Sequence, residues 1–281
     1  MHSLFTFLGP YLTSPITWFL VLFGACWGSF LNVCMIRIPE KTFWANLRSA
    51  CPSCGSPIPA WHNIPVLSWF ILRGKAACCG AKISKQYPII EGVTALLIPA
   101  IFWAFPFVQL DGARLTFDAL ESLRFTHAFL FCSALLVCSV IDFHLQIIPD
   151  VISLTMVALS PLVVLFHPDL GWESSLYGVL IGGGSLYCLG IAYYVVRKEV
   201  GMGMGDVKLL AAIGGWLGHE ALIPTLLLSS ISGSLIGIGV ILMSGAKTMK
   251  VKIPFGPFLA IGAVLYLFWG QEINEFLYHM N

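Results

Sequence analysis

From Ile16 to Met35 the chain runs without a single Lys, Arg, Asp or Glu, and stretches of this kind recur along its length. A helix needs about 20 predominantly apolar residues to cross a bilayer. Comparable runs occupy Ile89–Val108, Phe125–Ile141, Val151–Phe166, Leu176–Val196, Leu222–Met243 and Phe255–Phe276, with a shorter one at Val207–Leu217. Only 10% of the 281 residues are charged, against about a quarter in soluble domains. Too few polar side chains remain to cover a water-facing surface. The chain is therefore predicted to be an all-α, polytopic membrane protein whose main solvent is the lipid bilayer. A net charge of +1 gives no electrostatic case for nucleic acid. No Lys or Arg precedes the first run, so it is expected to stay as a span and not to be removed as a signal peptide.

Basic residues fix the expected orientation, because they favour cytoplasmic loops. Arg37, Lys41, Arg48, Arg73, Lys75, Lys82 and Lys85 fall in one long loop after the first run. Arg197, Lys198 and Lys208 flank a Gly-rich stretch, and Lys247, Lys250 and Lys252 lie in the last polar loop. Only Arg114 and Arg124 are left for the other side, in the 111–124 loop. An even number of crossings must separate Lys208 from Lys247. The short run therefore counts as a span, with Gly218-His219-Glu220 as an outer turn. The expectation is about eight spans, both termini outside, and a Cys-containing cytoplasmic loop between spans 1 and 2. The Gly182-Gly183-Gly184 run and the Gly/Ser-rich stretch Ser229–Gly239 are expected to let helices pack closely.

Two aspartates stand at the same expected membrane face. Asp142 closes the third run and Asp206 opens the sixth, 64 positions later. Acids at the hydrocarbon boundary are costly, and they default to functional hypotheses. Two carboxylates brought together share a proton. One can then take a proton from water while the other donates to a scissile carbonyl. Gly203 and Gly205 permit positive φ and close approach of a substrate backbone. Taken singly, each aspartate also reads as a helix cap, and Asp150 after Pro149 is expected to be one. Membrane acids equally suit a transporter, but no internal repeat is evident. Cys51, Cys54, Cys78 and Cys79 share the polar loop. Thiols in a reducing compartment favour metal over disulfide, and four of them suit a closed structural zinc site. His62 is a spare ligand. Glu91 and Asn32 are polar groups inside spans, either functional or engaged in interhelical hydrogen bonds.

Gly203-Met204-Gly205-Asp206 resembles the GxGD signature of intramembrane aspartyl proteases. Asp142 with Ile148-Pro149-Asp150 resembles the companion motif of type IV prepilin peptidases, with His144 standing where that family has a second Asp. Gly28-Ser29-Phe30-Leu31-Asn32-Val33, Cys51-Pro52-Ser53-Cys54, Arg73-Gly74-Lys75, Tyr87-Pro88-Ile89-Ile90-Glu91 and Phe255-Gly256-Pro257 follow in family order. The resemblance implies an inner-membrane endopeptidase with Asp142 and Asp206 as its catalytic pair. Such an enzyme removes the basic leader of type IV prepilins or type II secretion pseudopilins at the cytoplasmic face. It also implies methylation of the new N-terminus with S-adenosylmethionine, for which Glu91 and Asn32 are the candidate residues. Two paired Cys knuckles belong to the family pattern. Here Cys79 takes the place of the last cysteine and Ala76 that of the third, leaving Cys78 as substitute. The implied division is an N-terminal part, 1–124, holding the loop at 37–87 and the methyltransferase function, and a six-helix protease core, 125–281.

Overall fold

The computed structural model describes residues 14–43, 49–111, 114–167, 170–199, 203–244 and 254–279. Arg48, Lys247, Lys250 and Lys252, all used in the sequence reading, lie outside them. The chain divides into two compact units, Met1–Asp118 and Ala119–Asn281.

The first unit contains α1 (Pro15–Glu40), a short helix α2 (Leu67–Ile71), α3 (Gln86–Ala104) and a hairpin of β1 (Val108–Asp111) and β2 (Arg114–Phe117). Small residues set the packing of α1 on α3. A Cβ on Gly28 would stand 2.1 Å from Thr94 Oγ1, and one on Gly24 would stand 2.5 Å from the Thr94 carbonyl oxygen. Lipid supplies no hydrophobic drive between helices, so such backbone approach is what lets dispersion hold them together. The sequence reading carried the second span to Val108, but α3 stops at Ala104. Phe105 precedes Pro106, which disfavours the helical region for it, and its φ/ψ is −130°/73°. Val108 instead pairs with Phe117 in the antiparallel hairpin. Valine, leucine, threonine and phenylalanine all suit the pleated surface.

The second unit is a helical bundle of α4 (Ala119–Leu145), α5 (Asp150–Phe166), α6 (Trp172–Arg197), α7 (Met204–Leu217), α8 (Leu222–Ser244) and α9 (Gly256–His279). Eight helices thus stand where eight apolar runs were read. Six are long and apolar enough to cross a membrane, while α5 has 17 residues and α7 only 14. At 1.5 Å per residue α7 extends about 21 Å, short of a hydrocarbon core of about 30 Å. Every residue from Leu209 to Trp216 is buried, and α7 packs against α5, α6 and α9. A helix sheathed in protein need not match the bilayer thickness.

Glycine makes this sheathing possible. A Cβ on Gly178 of α6 would stand 1.9 Å from the Gly214 carbonyl oxygen of α7, and one on Gly214 would stand 2.2 Å from that of Gly178. Gly182 meets the Leu210 carbonyl oxygen and Gly183 meets Ala211, but Gly184 faces open space. Trp216 anchors the far end by donating its Nε1–H to the Met156 carbonyl at 2.8 Å.

Candidate active site

Asp142 lies in the last turn of α4 and is buried at 6% exposure. The helix ends because Gln146 takes φ +55° while still donating its N–H to the Asp142 carbonyl at 2.8 Å. The chain then runs extended through Ile147 and Ile148 to Pro149, which restarts it as α5. Ile148 is buried in this connection, and its side chain packs against both Gly205 and Gly256. The backbone N–H of Gly256, at the start of α9, donates to Asp142 Oδ2 at 3.0 Å. A Cβ on Gly256 would stand 2.6 Å from that same oxygen, so no larger residue fits without moving the carboxylate.

Asp206 is the third residue of α7, half-buried in its first turn, with Gly203 as N-cap. Helix N-termini carry partial positive charge that favours a carboxylate. The surroundings of the two aspartates, 64 positions apart in sequence, meet at Ile148, whose side chain lies against Gly205, next to Asp206, and against Gly256, whose N–H holds Asp142. Tertiary packing of α4, α7, α9 and the Ile148 connection brings this pair together.

Several expectations change. Gly203 has φ −73°, and Gly205 is helical within α7, so neither uses positive φ. Gly205 serves a close approach, but by Ile148: a Cβ there would stand 3.0 Å from that side chain. Asp150 starts α5 yet makes no side-chain cap, since Pro149 is the N-cap residue. Its carboxylate pairs with Lys208 Nζ at 2.6 Å, linking α5 to the helix of Asp206. His144 is exposed, and its Nδ1 lies 2.9 Å from the Val140 carbonyl oxygen. Gly256, Ile148 and the Lys208–Asp150 pair were not singled out as site neighbours from sequence. The Ile148-Pro149-Asp150 and Phe255-Gly256-Pro257 stretches were the signals pointing there.

In the first unit, the sulfurs of Cys51, Cys54, Cys78 and Cys79 lie within 4.8 Å of one another. Cys51–Cys79 is 3.7 Å, Cys54–Cys78 3.3 Å and Cys78–Cys79 3.9 Å. With Zn–S bonds of about 2.3 Å, tetrahedral sulfurs stand about 3.8 Å apart. The cluster is compatible with zinc, and His62 is not part of it. Two similar knuckles build it. In one, Gly55 N–H donates to the Cys51 carbonyl with φ +71°. In the other, Gly80 N–H donates to the Ala76 carbonyl with φ +72°. Ala76 therefore occupies the position of Cys51, and Cys78 supplies a sulfur from within the second turn. The Ser56 hydroxyl beside Cys54 holds that thiol down at about 6, whereas contact with the sulfurs of Cys54 and Cys51 pushes Cys78 up to about 12. Four sulfurs this close resist four negative charges unless a cation sits among them.

Asn32 is fully buried. Its Nδ2–H donates to the Tyr87 carbonyl at 3.3 Å, and its Oδ1 accepts from Gln86 Nε2 at 3.4 Å. This is an interhelical lock of α1 to α3. Glu91 is buried at 6% exposure and accepts the Val66 N–H at 2.7 Å.

Residues 22–105 match the Bacterial Peptidase A24 N-terminal domain, and residues 129–238 match the Type IV leader peptidase family. A prepilin leader peptidase/N-methyltransferase of Pseudomonas aeruginosa is 35% identical over 278 residues, covering 91% of each chain. The chain belongs to the type IV leader peptidase family. Relatives of the same name from Stutzerimonas stutzeri and Aeromonas hydrophila are 34% and 36% identical, each match covering 90% of this chain and 91% of the relative. No solved structure matches. As a member of this family the chain is a multi-pass membrane peptidase, and its relatives' name joins a methyltransferase to the peptidase.

Proposed function

We propose that this protein cleaves the basic leader from type IV prepilins or type II secretion pseudopilins, with Asp142 and Asp206 as the catalytic pair, and methylates the new N-terminus. The approach of these two carboxylates carries the reading, together with the family to which the chain belongs. The pair holds one proton between two acids. The ionised member takes a proton from water as the water oxygen adds to the scissile carbonyl carbon. The protonated member gives its proton to the carbonyl oxygen. Collapse of the adduct breaks the C–N bond: the leaving amine takes the proton that the first aspartate drew from water, and the adduct's hydroxyl returns its proton to the second. The Gly256 N–H orients the Asp142 carboxylate throughout. Gly205 and Ile148 keep the wall beside the pair compact.

The basic residues flanking the first span and α7 favour a cytoplasmic position for this face, in the bacterial inner membrane with both termini periplasmic. There the basic leader of a substrate would remain on the cytoplasmic side. A zinc ion held by Cys51, Cys54, Cys78 and Cys79 would fold the loop and not act chemically, because four protein ligands leave no open position. S-adenosylmethionine would supply the methyl group as a sulfonium donor. We place the methyltransferase function in the N-terminal part and the peptidase in the helical core.

The test is a cleavage assay with full-length protein in detergent and a prepilin carrying its leader, read by product mass. Cleavage after the leader's terminal Gly is expected for wild type and is lost in both Asp142→Asn and Asp206→Asn. Cleavage at normal rate by either variant would show the pair to be misassigned. A gain of one methyl group is expected only with S-adenosylmethionine present.

A further inference from the structure

The first unit holds a partly open cavity of about 390 Å³ between its Cys loop and the ends of α1 and α3. That volume lies within the range of about 300–1,000 Å³ typical of small-molecule sites. The residues that line it include Asn63, Trp69, Lys82, Gln86, Tyr87 and Glu91. The wall is ordered at the points that matter. Trp69 donates its Nε1–H to the Ile83 carbonyl at 3.3 Å, and Gly74 leaves room for the indole. Val66 holds φ +62°, strained for a β-branched residue, and it presents its N–H to Glu91.

Glu91 is the unexplained group. It sits on a membrane-spanning helix, is 6% exposed and lines the cavity. Among the described residues no Lys, Arg or His forms an ion pair with it. A buried carboxylate without a counter-cation is costly, and a cation bound in the adjoining cavity would offset that cost. Aromatic rings in the same wall add attraction for a cation and give a flat surface on which a heterocycle can stack. Neither Asp142 nor Asp206 is among the residues that line it.

We propose that the cavity walled by Trp69, Tyr87 and Glu91 is the binding site for a nucleoside-sized sulfonium cofactor of the S-adenosylmethionine class. This rests on the reading that the chain is a methyltransferase as well as a peptidase. A sulfonium carries a permanent positive charge for Glu91. The adenine gives a π-face to the aromatic wall. The amino-acid end, bearing both a carboxylate and an ammonium, suits the paired presence of Lys82 and the two amides.

The test is isothermal titration of the full-length protein in detergent with S-adenosylmethionine and with S-adenosylhomocysteine, which lacks the methyl group and its charge. Glu91→Gln keeps an oxygen for the Val66 N–H and removes the negative charge. It is expected to weaken S-adenosylmethionine by about ten-fold and the neutral compound by no more than about two-fold. Ser68→Phe, which fills the cavity, is expected to weaken both. Ultraviolet cross-linking of S-adenosylmethionine to wild type is expected to label a peptide holding Trp69 or Tyr87, independently of how the variants fold. Unchanged S-adenosylmethionine binding in both variants, equal loss of the two ligands in Glu91→Gln, or labelling confined to residues 119–281 would overturn the site while leaving methylation intact. Binding of neither ligand by wild type would overturn the methyltransferase reading along with it.

Discussion

Between Ser49 and Lys85 only Cys51 and Gly74 are buried, whereas in α7 every residue from Leu209 to Trp216 is. The loop has no apolar core to pull it together, and exposed Trp61, Leu67, Phe70 and Ile71 stud its surface. Its two knuckles converge on four sulfurs. The bundle around α7 converges on glycines, with backbone touching backbone at Gly178 and Gly214. A short polar segment needs a cross-link where a membrane bundle needs only shape. Perturbations of the two regions should therefore fail to cross over.

The largest expected effect is on the loop. Cys79→Ser, or a strong chelator applied to wild type, is expected to remove bound zinc, which wild type should hold at one ion per chain by elemental analysis. Protease nicking between residues 49 and 85 should follow, with α4–α9 left protected. Because each thiolate must regain a proton on release, zinc retention should fall as pH is lowered. A metal-free wild type with an equally protected loop would break the contrast.

Next comes Gly178→Ala. Its methyl group would meet a carbonyl oxygen that has nowhere to go, forcing α6 from α7 at a cost of about 3 kcal/mol. A lowered thermal midpoint in detergent, and lost cleavage through displacement of Asp206, would register it, while zinc content should not change. Lys208→Ala is expected to cost under about 1 kcal/mol, because Asp150 is exposed and Lys208 only half-buried, so water screens the pair. The smallest change is Gly184→Ala, six positions from Gly178 on the same helix but facing open space. It should stabilise by about 0.5 kcal/mol, the value of removing a mid-helix glycine. Equal penalties at 178 and 184 would show that propensity, not contact, governs this helix.

The helices were legible in the sequence because membrane spans announce themselves by length and lack of charge. Even α7, too short to be recognised that way, was recovered by requiring Lys208 and Lys247 to share a side. The hairpin at 108–117 was not legible, because its apolar residues simply extended the preceding run. In the site, Asp142 and Asp206 could be named from chemistry and motif, but what touches them could not. Gly256 acts through a backbone N–H, which every residue but proline carries, so its identity gives no donor signal. Ile148 was visible as part of the Ile148-Pro149-Asp150 motif, but an aliphatic side chain gives no sign of what it packs against. The four cysteines were visible, with Cys78 as substitute at the place of Ala76, and the structure adds that the second knuckle follows the frame of the first.

The hydrogen bond from Gly256 to Asp142 spans 114 positions, and this sets an order of events during synthesis. A ribosome adds roughly 5–20 residues per second, so Asp142 waits on the order of 10 s after its own incorporation before its partner exists. Throughout that interval α4 is inserted with its acid unanchored, and Asp206 arrives before the last wall does. The pair is completed only when the final helix docks. A nascent chain halted between residues 206 and 256 would thus hold both aspartates while Asp142 still lacked the Gly256 N–H.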